Sequence, residues 1–249
     1  MSLNSSIHCG FTEGNKVSAV DEEPPSSFII TIEELHEYIE DQQWEILREK
    51  LFITSSEAFI SDIIQADTLL LACQNEAPYD VIKMLVSIKP ELLKEKDTEF
   101  GHTPLHLMCL NIITQESARG IALLANEYSE ATTMPDSYGM TPLHLVCMSP
   151  CKSESAVSVI KALCNIGPAA LTMENDDDEI PMEVFIMSQT CDSYVAEESQ
   201  NNAIRLMHKA SGIYLLNRQL KIRCEIDRLA CCQEAMCISN KDESSSVAA

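Results

Sequence analysis

Nine residues recur with little change 38 positions apart. Gly101-His-Thr-Pro-Leu-His-Leu-Met-Cys109 and Gly139-Met-Thr-Pro-Leu-His-Leu-Val-Cys147 share seven of nine residues, in the pattern G-x-T-P-L-H-L-x-C. Self-similarity at such a period constrains a chain severely. Each unit is one supersecondary element that cannot bury its apolar face alone, so successive units must stack. Two weaker copies flank the pair in register. Upstream, Asp67-Thr-Leu-Leu-Leu-Ala-Cys73 ends 36 residues before Cys109; downstream, Ile180-Pro-Met-Glu-Val-Phe-Ile186 ends 39 residues after Cys147.

The motif has a physical reading. Thr103 and Thr141 can N-cap a helix whose first position is Pro104 or Pro142, where no amide hydrogen is needed. Leu105, Leu107 and Cys109 then face neighbouring helices, as do Leu143, Leu145 and Cys147. Gly101 and Gly139 can take the positive φ of a tight turn before the helix. His106 and His144 recur at one position and suit a hydrogen bond tying one turn to the next. Between the copies an apolar helical run ends in Ser56-Glu-Ala-Phe, Lys89-Pro-Glu-Leu-Leu, Tyr128-Ser-Glu-Ala or Gly167-Pro-Ala-Ala-Leu. From Cys73, Cys109 and Cys147 to this second element the distance is 17, 20 and 21 residues, while the return distances are nearly constant. The variation is expected before or within the second helix, most simply in the loop between the two helices.

These residues closely resemble the ankyrin repeat, whose hallmark is T-P-L-H-x-A in a unit of one β-turn and two helices, about 33 residues long. The resemblance covers roughly residues 30–190 and is strongest in the two central copies; the units here are longer than the family norm. It implies an all-α ankyrin-repeat solenoid of about four to five helix pairs, with hairpin-like loops projecting at right angles. At 67–73 the Pro and His positions hold Thr68 and Leu70. At 180–186 the Thr and His positions hold Ile180 and Glu183, and Asp178 replaces the turn glycine, a residue that tolerates left-handed φ. Both copies read as terminal repeats, which deviate because one face meets solvent. Further upstream, Thr31-Ile-Glu-Glu34 is a capping box, and a helix around Gln42–Phe52 with Trp44, Leu47 and Leu51 on its buried face would complete an N-terminal cap.

Composition divides the chain into an array at 27–190, a helical segment at 191–239, and two polar tails at 1–26 and 240–249 that read as disordered. The helical segment carries Leu215, Ile222, Leu229 and Met236 at sevenfold spacing, with Ile226 between them but Gln219 and Gln233 weakening the seam. It also holds Arg205, Lys209, Arg218, Lys221, Arg223 and Arg228, six of the 17 bases in the chain. This cationic amphipathic helix suits a cap on the last repeat, self-association through 213–237, or docking in a partner's groove. A membrane surface is the least favoured of its uses.

The body is acidic, with 39 acids against 17 bases and a net charge of −22, which repels phosphate backbones and argues against nucleic acid as a partner. The N-terminus lacks the basic and apolar regions of a signal peptide, and no apolar stretch is long enough for a membrane span. The 11 cysteines are therefore expected to be reduced, in a cytoplasmic or nuclear protein rather than a secreted one. No C-x-x-C pair, phosphate loop, nucleophile elbow or H-E-x-x-H occurs, and Asp176-Asp-Asp-Glu179 lacks the spacing of a calcium loop. Neither metal nor cofactor is implied. His144 and Cys147 could form a nucleophilic pair, but the repeat explains both. Cys231, Cys232 and Cys237 are the candidates for redox-active or lipidated thiols.

No catalytic residues are assigned, and the reading is a non-catalytic scaffold or adaptor whose partner is another protein. Ankyrin arrays bind through loop tips and first helices, and mapping the motif nominates Glu99, Phe100 and His102 on one tip, with Ser137, Tyr138 and Met140 on the next. Met108 and Met148, near the ends of first helices, extend the surface. Thr103, His106, Thr141 and His144 are structural ties between repeats. Two alternatives stand beside this: an architectural protein that oligomerises through its C-terminal helix, and a thiol-dependent regulatory subunit.

Overall fold

The computed structural model describes residues 30–54, 64–65, 67–111, 113–149, 154–188, 201–221 and 223, and all regular structure among them is helical. The two tails, the Ser56-Glu-Ala-Phe segment, the heptad positions beyond 223, and Cys231, Cys232 and Cys237 lie outside the described residues. Nine helices are α1 (Ile32–Glu40), α2 (Trp44–Thr54), α3 (Thr68–Gln74), α4 (Tyr79–Ile88), α5 (Pro104–Leu110), α6 (Gln115–Glu127), α7 (Pro142–Met148), α8 (Glu154–Ile166) and α9 (Pro181–Met187). Residues 201–221 form α10.

These make five consecutive helix pairs in two layers. The first helices stack in the order α1, α3, α5, α7, α9, and the second helices in the order α2, α4, α6, α8. Helix α10 follows in the second layer: Leu206, Ala210 and Tyr214 lie beside Lys161 and Cys164 of α8. A continuous core runs between the layers, with Leu35, Leu69, Leu105 and Leu143 from the first helices and Leu47, Ile82, Ile121 and Ile160 from the second, each at most 1% exposed. The recurring cysteines Cys73, Cys109 and Cys147 are fully buried. Ala203 and Met207 of α10 are also fully buried, so its first turns close the open end of the array.

Local sequence explains the helix ends. Thr31 and Glu34 exchange two backbone-to-side-chain hydrogen bonds at 3.2 and 3.1 Å, a capping box opening α1. At α5 a histidine takes the glutamate's place: the Thr103 N–H donates to His106 Nδ1 at 3.2 Å, and the His106 N–H to Thr103 Oγ1 at 3.4 Å. At α7 the Thr141 N–H donates to His144 Nδ1 at 3.0 Å. In α9 the Glu183 carboxylate accepts from the Ile180 N–H at 2.9 Å, so Glu183 still caps although the threonine is gone.

The second helix is ten residues long in α4 but thirteen in α6 and α8, so the length variation lies in the helix itself, not mainly in the loop before it. Loops can absorb insertions, but here three extra residues add most of a helical turn. Each second helix then tightens into a short 3₁₀ turn, at Pro90–Lys94, Ser129–Thr133 and Pro168–Thr172. Gly167 before the last of these sits against Thr132, where a Cβ would come 1.9 Å from Thr132 Oγ1; this is why a side chain is absent there.

A concave groove between fingers and first helices

Each loop between units is a finger built on one acidic or amide side chain. Asp97 Oδ1 accepts the N–H groups of Glu99, Phe100 and Gly101 at 3.0, 2.6 and 3.0 Å. Asp136 Oδ1 accepts those of Tyr138 and Met140 at 2.8 and 2.9 Å. Asn175 Oδ1 accepts those of Asp177 and Glu179 at 3.0 and 2.8 Å. A hairpin-like bond closes each finger, from the N–H of Asp97, Asp136 or Asn175 to the carbonyl of His102, Met140 or Glu179. Gly101 and Gly139 both have φ of 71°, and Asp178 takes the same left-handed conformation at 62°.

The fingers are cross-bonded into one surface. Ser137 N–H donates to the Phe100 carbonyl at 2.8 Å, and Asp176 N–H to the Tyr138 carbonyl at 3.1 Å. Beneath them, His106 Nε2 donates to Met140 O at 3.2 Å and His144 Nε2 to Glu179 O at 3.1 Å. With Nδ1 accepting at the cap and Nε2 donating to the next finger, each imidazole must be neutral in one tautomer. Burial pushes His106 down to about 4 against the opposing pull of its bond to Met140, and burial likewise lowers His144.

Fingers and first helices enclose a concave groove of about 550 Å³. Its apolar walls are Phe100, Tyr138, Leu110, Met148, Val184 and Met187. The Phe100 and Tyr138 rings stack at 6.2 Å, and Tyr138 is 57% exposed. Leu110, Met148 and Met187 occupy one position in three successive first helices, each between 42% and 62% exposed. Asp136, Asn175, Asp177 and Glu179 add an acidic and amide lining. His102 sits between two fingers, with Nδ1 3.1 Å from Asp97 Oδ2 and Nε2 3.3 Å from Asp136 Oδ2. Asp136 Oδ2 is the one buried side-chain oxygen among the described residues without a hydrogen bond. Asp97 stays below the usual carboxylate range: burial raises it, but the N–H groups of Phe100, His102 and Gly101, with the charge of His102, outweigh that.

The nominated residues divide accordingly. Phe100, Tyr138, Met140 and Met148 come together in the groove, while Glu99 and Ser137 are exposed at the tips. His102 lines the groove but is only 8% exposed, so it is a finger strut more than a contact surface. Met108 is 2% exposed and does not extend the surface; its Cε packs over Gly120, within 2.9 Å of where a Cβ would stand. Met108 aligns with Val146, also buried, whereas Met148 aligns with Leu110 and Met187. That register points from Met148 to Leu110 and Met187, which the motif alone did not single out. The finger-building Asp97, Asp136 and Asn175 were missed too, although they recur every 39 residues.

Stacked helix pairs joined by cross-bonded fingers define a helical repeat solenoid with a concave face. Residues 69–175 match the family model described as ankyrin repeats, in three copies, and that segment is an ankyrin-repeat array. No curated protein matches the sequence. Among solved structures, the chain is similar at 15% identity and a TM-score of 0.32 to one determined for the Bd0816 predatory endopeptidase from Bdellovibrio bacteriovorus in complex with immunity protein Bd3460. That likeness covers 70% of this chain and 96% of the other.

Proposed function

We propose that the chain is a non-catalytic adaptor whose concave groove binds a segment of another protein. The observation that carries this is the row of exposed Leu110, Met148 and Met187 beneath the stacked Phe100 and Tyr138 rings. Scattered apolar residues on a surface need no explanation, but a contiguous concave row with an aromatic wall has the make-up of an interface core. Methionine adapts its shape to what it meets, and the aromatic rings lose little entropy on contact. The acidic lining favours a partner with basic residues beside its apolar anchor. A thiol-dependent role finds no support at Cys73, Cys109 or Cys164: burial pushes Cys164 up to about 12 and raises Cys73 and Cys109 as well, away from the reactive thiolate.

The test is affinity capture from native extract with the intact chain and a Tyr138→Ala/Met148→Ala variant. Both side chains are largely exposed, so the variant should fold as the parent does. Loss of two central contacts should lower recovery of a specific partner by roughly tenfold or more. Equal recovery from both proteins would place binding elsewhere.

A further inference from the structure

The segment 201–223 contains five bases (Arg205, Lys209, Arg218, Lys221 and Arg223) and no acid, in a chain whose net charge is −22. Among the described residues its helix α10 is fully buried only near its start and borders α8 as far as Asn217, with Lys209 and Ile213 on the rim of that cleft. Ala203 and Met207 are buried, and Met207 Sδ lies 3.8 Å from Cys147 Sγ. Beyond them Ile213, Leu216 and Leu220 are 51%, 57% and 52% exposed. Lys209, Ile213, Leu216, Leu220 and Arg223 fall at i, i+4, i+7, i+11 and i+14, which puts them on one helical face: an apolar row bracketed by two cations. The concave groove is its counterpart, an apolar row of Leu110, Met148 and Met187 with Asp177 and Glu179 on its lining.

We infer that α10 of one copy docks its Lys209-to-Arg223 face into the groove of a second copy. This rests on the reading of the groove as a protein-binding surface and names its occupant. A chain cannot fill its own groove this way, because α10 is held beside α8 in the second-helix layer while the groove opens on the first-helix side. Reciprocal exchange of the two helices closes the contact with twofold symmetry and doubles the buried area, which one helix of about four turns in one groove needs to approach the size of stable interfaces.

Sedimentation equilibrium of the full chain tests this, with two charge-reversed variants whose native fold is checked by circular dichroism. The parent should form a dimer that dissociates at least about tenfold more readily at high salt, since its charge pairs lie at an exposed rim. Lys209→Glu/Arg223→Glu alone and Asp177→Lys/Glu179→Lys alone should each be monomeric, and mixing them should restore the dimer, because every charge contact in the mixed pair is again opposite. A monomeric parent at high micromolar concentration overturns the inference. So does a dimer that survives the groove variant, which would point to helix-to-helix pairing. If the parent is monomeric while the Tyr138→Ala/Met148→Ala variant still loses a captured partner, this inference fails and the binding reading stands.

Discussion

Lowering the solution from about pH 7 to about pH 5 should destabilise the array through His106, whose side chain is buried and held neutral by the two bonds it makes. In the unfolded chain this imidazole takes up a proton near its ordinary 6.5, but in the folded protein only near 4. Between those values the unfolded state binds the proton and the folded state does not, so stability falls as the pH falls through that window. At about pH 5 the differential amounts to roughly 2 kcal/mol, or about 4–8 °C in Tm for an array of this length. Relief of the self-repulsion of a chain with charge −22 works the other way, whereas Asp80 and Asp97, both held below the usual carboxylate range, add to the loss only at still lower pH. A His106→Gln variant separates the two effects. Glutamine cannot titrate, so urea unfolding followed by circular dichroism should show it about 1 kcal/mol less stable at neutral pH through imperfect bonds. Its loss between the two pH values should nevertheless be smaller than the parent's by roughly 2 kcal/mol. His144 shifts in the same direction in both proteins and cancels in the comparison. Parallel pH dependence in parent and variant would refute the assignment of the acid response to His106.

Met108→Ala should cost about 2–5 kcal/mol in chemical denaturation because it empties a buried site, whereas Met148→Ala should stay within about 0.5 kcal/mol; equal effects would contradict the register placing one inside and the other out. Gly139→Ala should destabilise by about 2 kcal/mol, since φ is 71° and a Cβ would meet Asp176 Oδ1 and N at 2.8 and 2.9 Å. In α10 the opposite holds: Gly212 has nothing within 4 Å, and Gly212→Ala should raise stability by about 0.5–1 kcal/mol in the same assay. Cys73, Cys109, Cys147 and Cys164 should resist thiol reagents until the array unfolds, as read by peptide mapping after timed labelling.

What could be read from the residues was whatever one repeat position settles by itself. Proline at the first helical position, threonine before it and a small apolar cysteine facing the core each carry a local physical requirement, so the stacked first helices followed. Asp178 replacing glycine was legible for the same reason, because few residues tolerate its φ. The interior placement of Met108 was less visible, since methionine is at home in a core or on a binding surface. Only alignment with Val146 separates the two. Asp97, Asp136 and Asn175 escaped notice because acidic and amide residues are common in loops, and their role depends on backbone N–H groups converging on one oxygen. The groove depends on finger stacking, the bond from Ser137 to Phe100 above all, and no single repeat contains it.

The most direct measurement places a photo-crosslinking amino acid at position 138 and, in a separate protein, at the exposed Lys83 on α4 of the opposite layer. After irradiation in native extract, the account expects discrete protein adducts from position 138, lost when Met148→Ala and Met187→Ala are added, and none of the same species from position 83. Adducts of equal pattern at both positions, or at 83 alone, would contradict the assignment of binding to the concave groove.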